Sequence, residues 1–280
     1  MGWLMRTFID ASGHVRWLGN ISPITDPDKV PLKGAFGVYG DTQQAKMIAR
    51  AKWPELILAQ DKQSTWLTEP YVDYIHDQDG IGQCNADATV SAMEDCRLLA
   101  GLPPVKLSAA DLYMRINGGG DNGSTLEDGI VEAMKGVGTA ATAGLIWQRG
   151  QRGATASERA LYRVTEAWLC PTFDHCMSAV LCNFRLITGI MWYGNFNADG
   201  DGWLPKRGSG SPGGHAIKGY RGMMHKDGTF GIAHCNSWST SYGVQGRMII
   251  PSTLYGSTIG GWWAVRDMVQ EQADLPELKH

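Results

Sequence analysis

The sequence predicts an α+β fold, and three observations predict it. Cap signals and three- and four-residue apolar spacing dominate from Cys84 to about Phe184, whereas strand-like runs separated by Gly, Asp, Ser and Asn dominate after it. The chain is also long enough, at 280 residues and 43% hydrophobic, to fill one large core or two modest ones.

The first 64 residues differ in texture from the rest and are expected to form an N-terminal accessory extension, with residues 65–280 as the main domain. RTFIDASGHVRWLG predicts two short strands around a turn at Ser12-Gly13, followed by a connection rich in proline at Pro23, Pro27 and Pro31. Asp41-Thr42 can cap a short helix over residues 43–52, which Pro54 ends or restarts. From Cys84, CNADATVSAMEDCRLLAG predicts a helix stopped by Gly101 and Pro103-Pro104. Further helices are signalled by Ser108 before AADLYM, Thr125 with Asp128 three residues on, Ser157 before ERALYRV, and Pro171 opening TFDHCMSAVLCNF. The strands RLITGIMWYG, GHAIKGYRG, TFGIAHCN, RMII and GGWWAVR follow.

Composition excludes several classes of function. With 25 basic against 28 acidic residues and no long run of one sign, nothing calls for nucleic acid. No stretch has the length and apolarity of a signal peptide core or a membrane span, so no membrane partner is expected and a cytoplasmic or virion-associated location is. The six cysteines lack any C-x-x-C spacing, which argues against a disulfide framework or zinc site, and most should be buried thiols. The loop NADGDGW puts Asn197, Asp199 and Asp201 at calcium-loop positions, but Gly208 stands where the bidentate glutamate belongs, so an ordinary hairpin loop is expected. No cofactor and no metal are called for.

Three segments can carry chemistry. Cys84 falls at the start of a helix, where free N–H groups and the helix dipole favour a thiolate. The preceding DQDGIGQ offers Gly80 and Gly82 for a tight approach and Gln78 as an amide donor toward an oxyanion. In SPGGHAIKGYRG a Gly-Gly pair delivers His215 onto a strand. In HCNSWSTSYG, Asn236 ends a strand; a neutral amide there can fix a histidine tautomer, and Trp238 can shield the bond from water. Taken singly, each has a plainer reading: a buried structural cysteine, a turn histidine, an Asn-Ser turn. His234 would share a strand face with Asn236, too close in sequence for the amide to orient it, and His76 and His175 read as surface residues.

Together, and in this order, the segments resemble the papain-like cysteine peptidases. DQDGIGQCNADATVSAME is similar to the family's glutamine, glycine turn and nucleophile; LSAADL and GSTLEDGIVEAMKGVG resemble its next helices; GGHAIKGYRG and NSWSTSYGVQGRMII resemble its histidine and asparagine segments. The likeness runs from about residue 67 to 265, with His215 following Cys84 by 131 residues. It implies a helical half and an antiparallel sheet or barrel half with the site between them. The implied roles are Cys84 as nucleophile, His215 as base, Asn236 as its orienting residue and Gln78 as oxyanion donor, acting on a peptide or protein substrate. Departures are Asn85 for an aromatic residue, Ile81 for a cysteine that normally forms a disulfide, Ser239 for a glycine and Tyr242 for a tryptophan. The N-terminal segment lacks the family's long helical propeptide pattern. Two other expectations stay open: hydrolysis of cell-wall peptide, and a structural or binding role among assembly partners in a larger particle such as a phage.

Overall fold

A computed structural model describes residues 6–9, 15–18, 47–72, 74–257 and 262–269. Strands β1 (Arg6–Ile9) and β2 (Val15–Leu18) pair antiparallel as the sequence predicts. The turn between them, the proline-rich connection and the Asp41-Thr42 cap lie outside the described residues.

The start of the helix expected over residues 43–52 lies outside the described residues, and a helix restarts at Pro54 as one of the two sequence readings has it. Residues 50–52 form a single 3-10 turn, and α1 runs over Trp53–Asp61 with Pro54 in its first turn, where a missing N–H costs nothing. It buries Trp53 and Ile57 against Met177 and Val180 of α7 (Phe173–Leu181), in one apolar cluster with Leu186 and Ile232.

Helix α2 (Cys84–Leu99) is the central element, with every residue from Cys84 to Arg97 buried. Alanines at 86, 88 and 92 give it helix propensity and let neighbours approach closely. It stops where Gly101 turns left-handed (φ 73°) and Leu102 N–H returns to the Arg97 carbonyl. Around it stand α3 (Ala109–Ile116), capped by Ser108, and α4 (Leu126–Lys135), capped by Thr125, both as predicted. Short helices α5 (Ala140–Ala143) and α6 (Ala156–Ala160) follow.

Three features of this stretch depart from the sequence reading. The cap of α6 is Thr155, in a capping box with Glu158, and the helix ends at Ala160. Residues 163–170, assigned by the sequence to a mainly helical region, form strand β3 (Arg163–Cys170), because the backbone finds an antiparallel partner in β8 (Trp262–Val269). Helix α7 is capped by Thr172, one residue after Pro171.

With β4 (Arg185–Trp192), β5 (Gly213–Met224), β6 (Phe230–Cys235) and β7 (Arg247–Pro251), these strands form a six-stranded antiparallel sheet in the order β3-β8-β4-β5-β6-β7. Its alternation sets what touches what. Ile187, Ala216, Trp263 and Val265 pack with α2, while their neighbours Leu186 and Ala264 pack with α7. Thus α2 lies against β5, the strand that carries His215.

Ionic side chains cross the same boundary. Asp95 of α2 meets Lys218 Nζ at 2.7 Å and Arg185 Nε at 3.0 Å, with all three buried. Removing one partner would strand a buried charge, at a cost of about 3–5 kcal/mol.

Candidate active site

The loop leading into α2 is held from both sides. Gln78 N–H donates to the Ser237 carbonyl at 2.9 Å and Ser239 N–H to the His76 carbonyl at 3.0 Å, so residues 76–78 run antiparallel beside 237–239. Asp79 and Gly80 then take left-handed conformations (φ 44° and 78°), which turn the chain back toward the helix. Gly82 N–H donates to Asp121 Oδ1 at 2.9 Å, and Tyr113 Oη donates to that same oxygen at 2.6 Å. A Cβ at Gly82 would lie 2.9 Å from Asp121 Oδ1, so only glycine fits without moving the tether. This tether acts on the residue next to Ile81, where the resemblance has a disulfide cysteine.

Cys84 is the first residue of α2 and is buried. Gln83, just before it, accepts from Trp147 N–H at 2.9 Å and donates to the Leu145 carbonyl at 3.0 Å, which ties the helix start to a second loop. Asn85, the departure from an aromatic residue, has a packing reason. Its amide donates to Ser124 Oγ and the Thr125 carbonyl at the cap of α4, and it sits against Gly129, where a Cβ would be 2.8 Å from Nδ2. Asn85 therefore turns away from the sheet, toward α4.

His215 and Asn236 are brought together directly. His215 Nε2 lies 2.7 Å from Asn236 Oδ1, and the same oxygen accepts the Ser237 backbone N–H at 2.8 Å. Only an oxygen can accept from a backbone N–H, so the bond has one polarity: Nε2 carries the proton. Nδ1 is then the lone-pair nitrogen of the neutral ring, and it has no hydrogen-bond partner among the described residues. Burial pushes the imidazole down to about 4, partly offset by the Asn236 bond, so a neutral ring is the resting form when no negative charge faces it. Trp238 stacks on the ring at 4.5 Å and Trp192 meets it edge-on at 5.4 Å, which keeps water from the His215–Asn236 bond. Tyr242 packs edge-on against Trp238 and donates to the Phe196 carbonyl, which accounts for a hydroxylated ring there. Ser239 is left-handed (φ 57°), a conformation that explains the glycine in the resembling family.

Gln78 joins this assembly through its side chain. Its Oε1 accepts from Ser237 Oγ at 2.7 Å and its Nε2 donates to the Ile81 carbonyl at 2.7 Å. The amide thus bridges the loop before Cys84 and the residue after Asn236.

The other histidines are placed differently from one another. His76 does not lie on the surface as the sequence suggests. It is buried between two carboxylates of α2, with Nδ1 3.1 Å from Asp87 Oδ1 and Nε2 2.9 Å from Glu94 Oε2. Burial works to lower its pKa, but the Glu94 charge and both hydrogen bonds outweigh it and push the ring up to about 10. The one sequence signal for this cluster was the seven-residue spacing of Asp87 and Glu94, which sets both on one helix face. His234 is a satisfied core residue between the Ile232 carbonyl and Thr188 Oγ1. His175 is half-buried at the start of α7, beside Thr172 Oγ1. In the 197–202 loop, Asp199 Oδ1 accepts the N–H groups of Asp201 and Trp203, the bonding of a hairpin turn.

No family model and no curated protein matches the chain. Solved structures do. Xylellain, a cysteine protease from Xylella fastidiosa, superposes with a TM-score of 0.66 at 18% identity, over 94% of this chain and 98% of that one. The fold is that of the papain-like cysteine proteases. Procathepsin B from Trypanosoma congolense (TM-score 0.59, 18% identity, 72% and 74% of the two chains) and bromelain from Ananas comosus (0.55, 16%, 72% and 97%) share it. On this papain-like fold none of the six cysteines is in a disulfide, five of them being buried and Cys182 partly so. Among the described residues no helix is long and apolar enough to cross a membrane, and no group of three ligating side chains could hold a metal ion.

Proposed function

We propose that the chain is a papain-like cysteine peptidase that hydrolyses peptide bonds through Cys84, His215, Asn236 and Gln78. The observation that carries this reading is the one-way bond from His215 Nε2 to Asn236, which leaves Nδ1 as the basic nitrogen on a strand packed against the helix that Cys84 opens.

The steps follow from those positions. Nδ1 takes the Cys84 proton, and the thiolate sulfur attacks the substrate carbonyl carbon. The oxyanion is met by the Cys84 backbone N–H, in the helix's first turn, and by the Gln78 amide. The imidazolium then gives its Nδ1 proton to the leaving amine as the C–N bond breaks, forming a thioester. Water, deprotonated at Nδ1, attacks the thioester, and the sulfur departs and regains the proton.

Bromelain was solved with the inhibitor E64, and the same inhibitor tests this chain. The expected result is covalent labelling of Cys84 together with turnover of a fluorogenic peptide, both lost in Cys84→Ala. A protein with no turnover and no Cys84 adduct would overturn the proposal.

A further inference from the structure

Beside Asn236 lies a cavity of about 10 Å³, room for a single water, lined by polar and apolar side chains together. Asp87, Ala88 and Ser91 of α2 form one wall and Asn236 and Ser237 another, with His76 closing it; all six are buried. Two polar atoms of these wall residues have no hydrogen-bond partner among the described residues: Asp87 Oδ2, an acceptor, and Asn236 Nδ2, a donor. Buried groups left in that condition are costly, and an acceptor and a donor without partners on two residues lining a water-sized space are what one ordered water can satisfy.

We propose that the cavity holds one water that accepts from Asn236 Nδ2 and donates to Asp87 Oδ2, making Asp87 a positioning residue for the amide that faces His215. This rests on the reading of Asn236 as the residue that orients the base. Asp87 is suited to the role because its other oxygen is already engaged, by His76 Nδ1 at 3.1 Å and Gln83 Nε2 at 3.4 Å. The remaining oxygen therefore has a fixed direction. The Ser91 hydroxyl in the wall offers the water a third partner.

The consequence concerns the His215 tautomer. If the Asn236 amide rotated by half a turn, Nδ2 would face Nε2, the ring would have to accept there, and its proton would move to Nδ1. A base with its lone pair on the wrong nitrogen cannot take the Cys84 proton. A water anchored on Asp87 holds Nδ2 away from the ring and so reinforces the productive state.

The test has two arms. A high-resolution crystal structure of the unmodified protein should show one water within hydrogen-bond distance of both Asp87 Oδ2 and Asn236 Nδ2; an empty cavity, or a water reaching only one of them, overturns the site. Nitrogen-15 NMR of the His215 ring is then compared between the unmodified protein and Ala88→Val, which puts methyl groups where the water sits. The unmodified ring should carry its proton on Nε2, and Ala88→Val should show a tautomer mixture and a kcat lower by about fivefold to tenfold at little changed KM. Ala88→Ser, whose hydroxyl can stand in for the water, should keep several-fold more of the turnover than Ala88→Val and guards against a valine variant that fails to fold. An unchanged tautomer in the folded valine variant overturns the positioning role. Both the density and the tautomer are read without substrate, so loss of the peptidase reading would show separately, as absence of turnover in the unmodified protein.

Discussion

Asn236 Oδ1 accepts two hydrogen bonds at once, from His215 Nε2 at 2.7 Å and from the Ser237 backbone N–H at 2.8 Å. The second bond gives the first its direction, since an amide turned the other way would set a donor against a donor. In the proposed mechanism Asn236 thereby orients the histidine without competing for its proton.

On the proposed mechanism, Asn236→Ala should lower kcat by about tenfold to a hundredfold while Cys84 stays open to alkylation, because Cys84 and His215 both remain. Steady-state kinetics on a fluorogenic peptide, with iodoacetamide labelling in parallel, checks this. An unfolded variant would instead make Asn236 a scaffold residue.

Stability should fall as pH rises from neutral, and His76 should be the reason. Its folded pKa of about 10 lies above the ordinary 6.5, so the folded state binds the proton more tightly, and this contribution is complete below about 6.5 and lost as pH climbs through 10. Urea unfolding of the native protein and of His76→Gln at pH 7 and pH 10 measures it: the gap between them should narrow at the higher pH. On the acid side the sign reverses. Burial lowers His215 to about 4 and His234 to about 3, so their contributions are present above 6.5 and fade as pH falls toward those values.

Asp121→Ala should slow turnover without unfolding the domain, since it releases Gly82 N–H and Tyr113 Oη and frees the loop before Cys84. A loss of about threefold to tenfold in kcat corresponds to the net worth of one or two hydrogen bonds. Unchanged kinetics would mean that the tether at Gly82 has no part in placing the nucleophile.

Reductant should leave the melting temperature almost unchanged, because no cysteine is in a disulfide and no cross-link restricts the unfolded chain. Calorimetry with and without dithiothreitol reads this directly, and a drop of several degrees would contradict it.

What could be read from sequence was what is local. Ser108 and Thr125 announce their helices because the capping side chain bonds three residues ahead. Strand β3 was hidden because ERALYRV continues as a plausible helix, and only pairing with β8, a hundred residues on, turns RVTEAWLC into a strand. The site divides in the same way. Cys84, His215 and Asn236 are marked by segments whose order follows the papain-like fold, whereas burial of His76 depends on carboxylates 11 and 18 residues away on a helix that must first dock. That the Asn236 amide could accept from the His215 ring was legible from the residue types, whereas the Ser237 N–H that gives the bond its direction was not.

On the proposed mechanism Cys84 and His215 work as a pair, with the thiolate stabilised by the first turn of α2 and by an imidazolium that forms when the proton crosses. Brief iodoacetamide exposure at several pH values, read site by site by mass spectrometry, tests this most directly. Cys84 should label faster than Cys96 or Cys182 at mildly acidic pH, and His215→Ala should move its profile toward that of an ordinary thiol while the other cysteines are unaffected. Equal labelling of the three, or an unmoved Cys84 profile in His215→Ala, would contradict it.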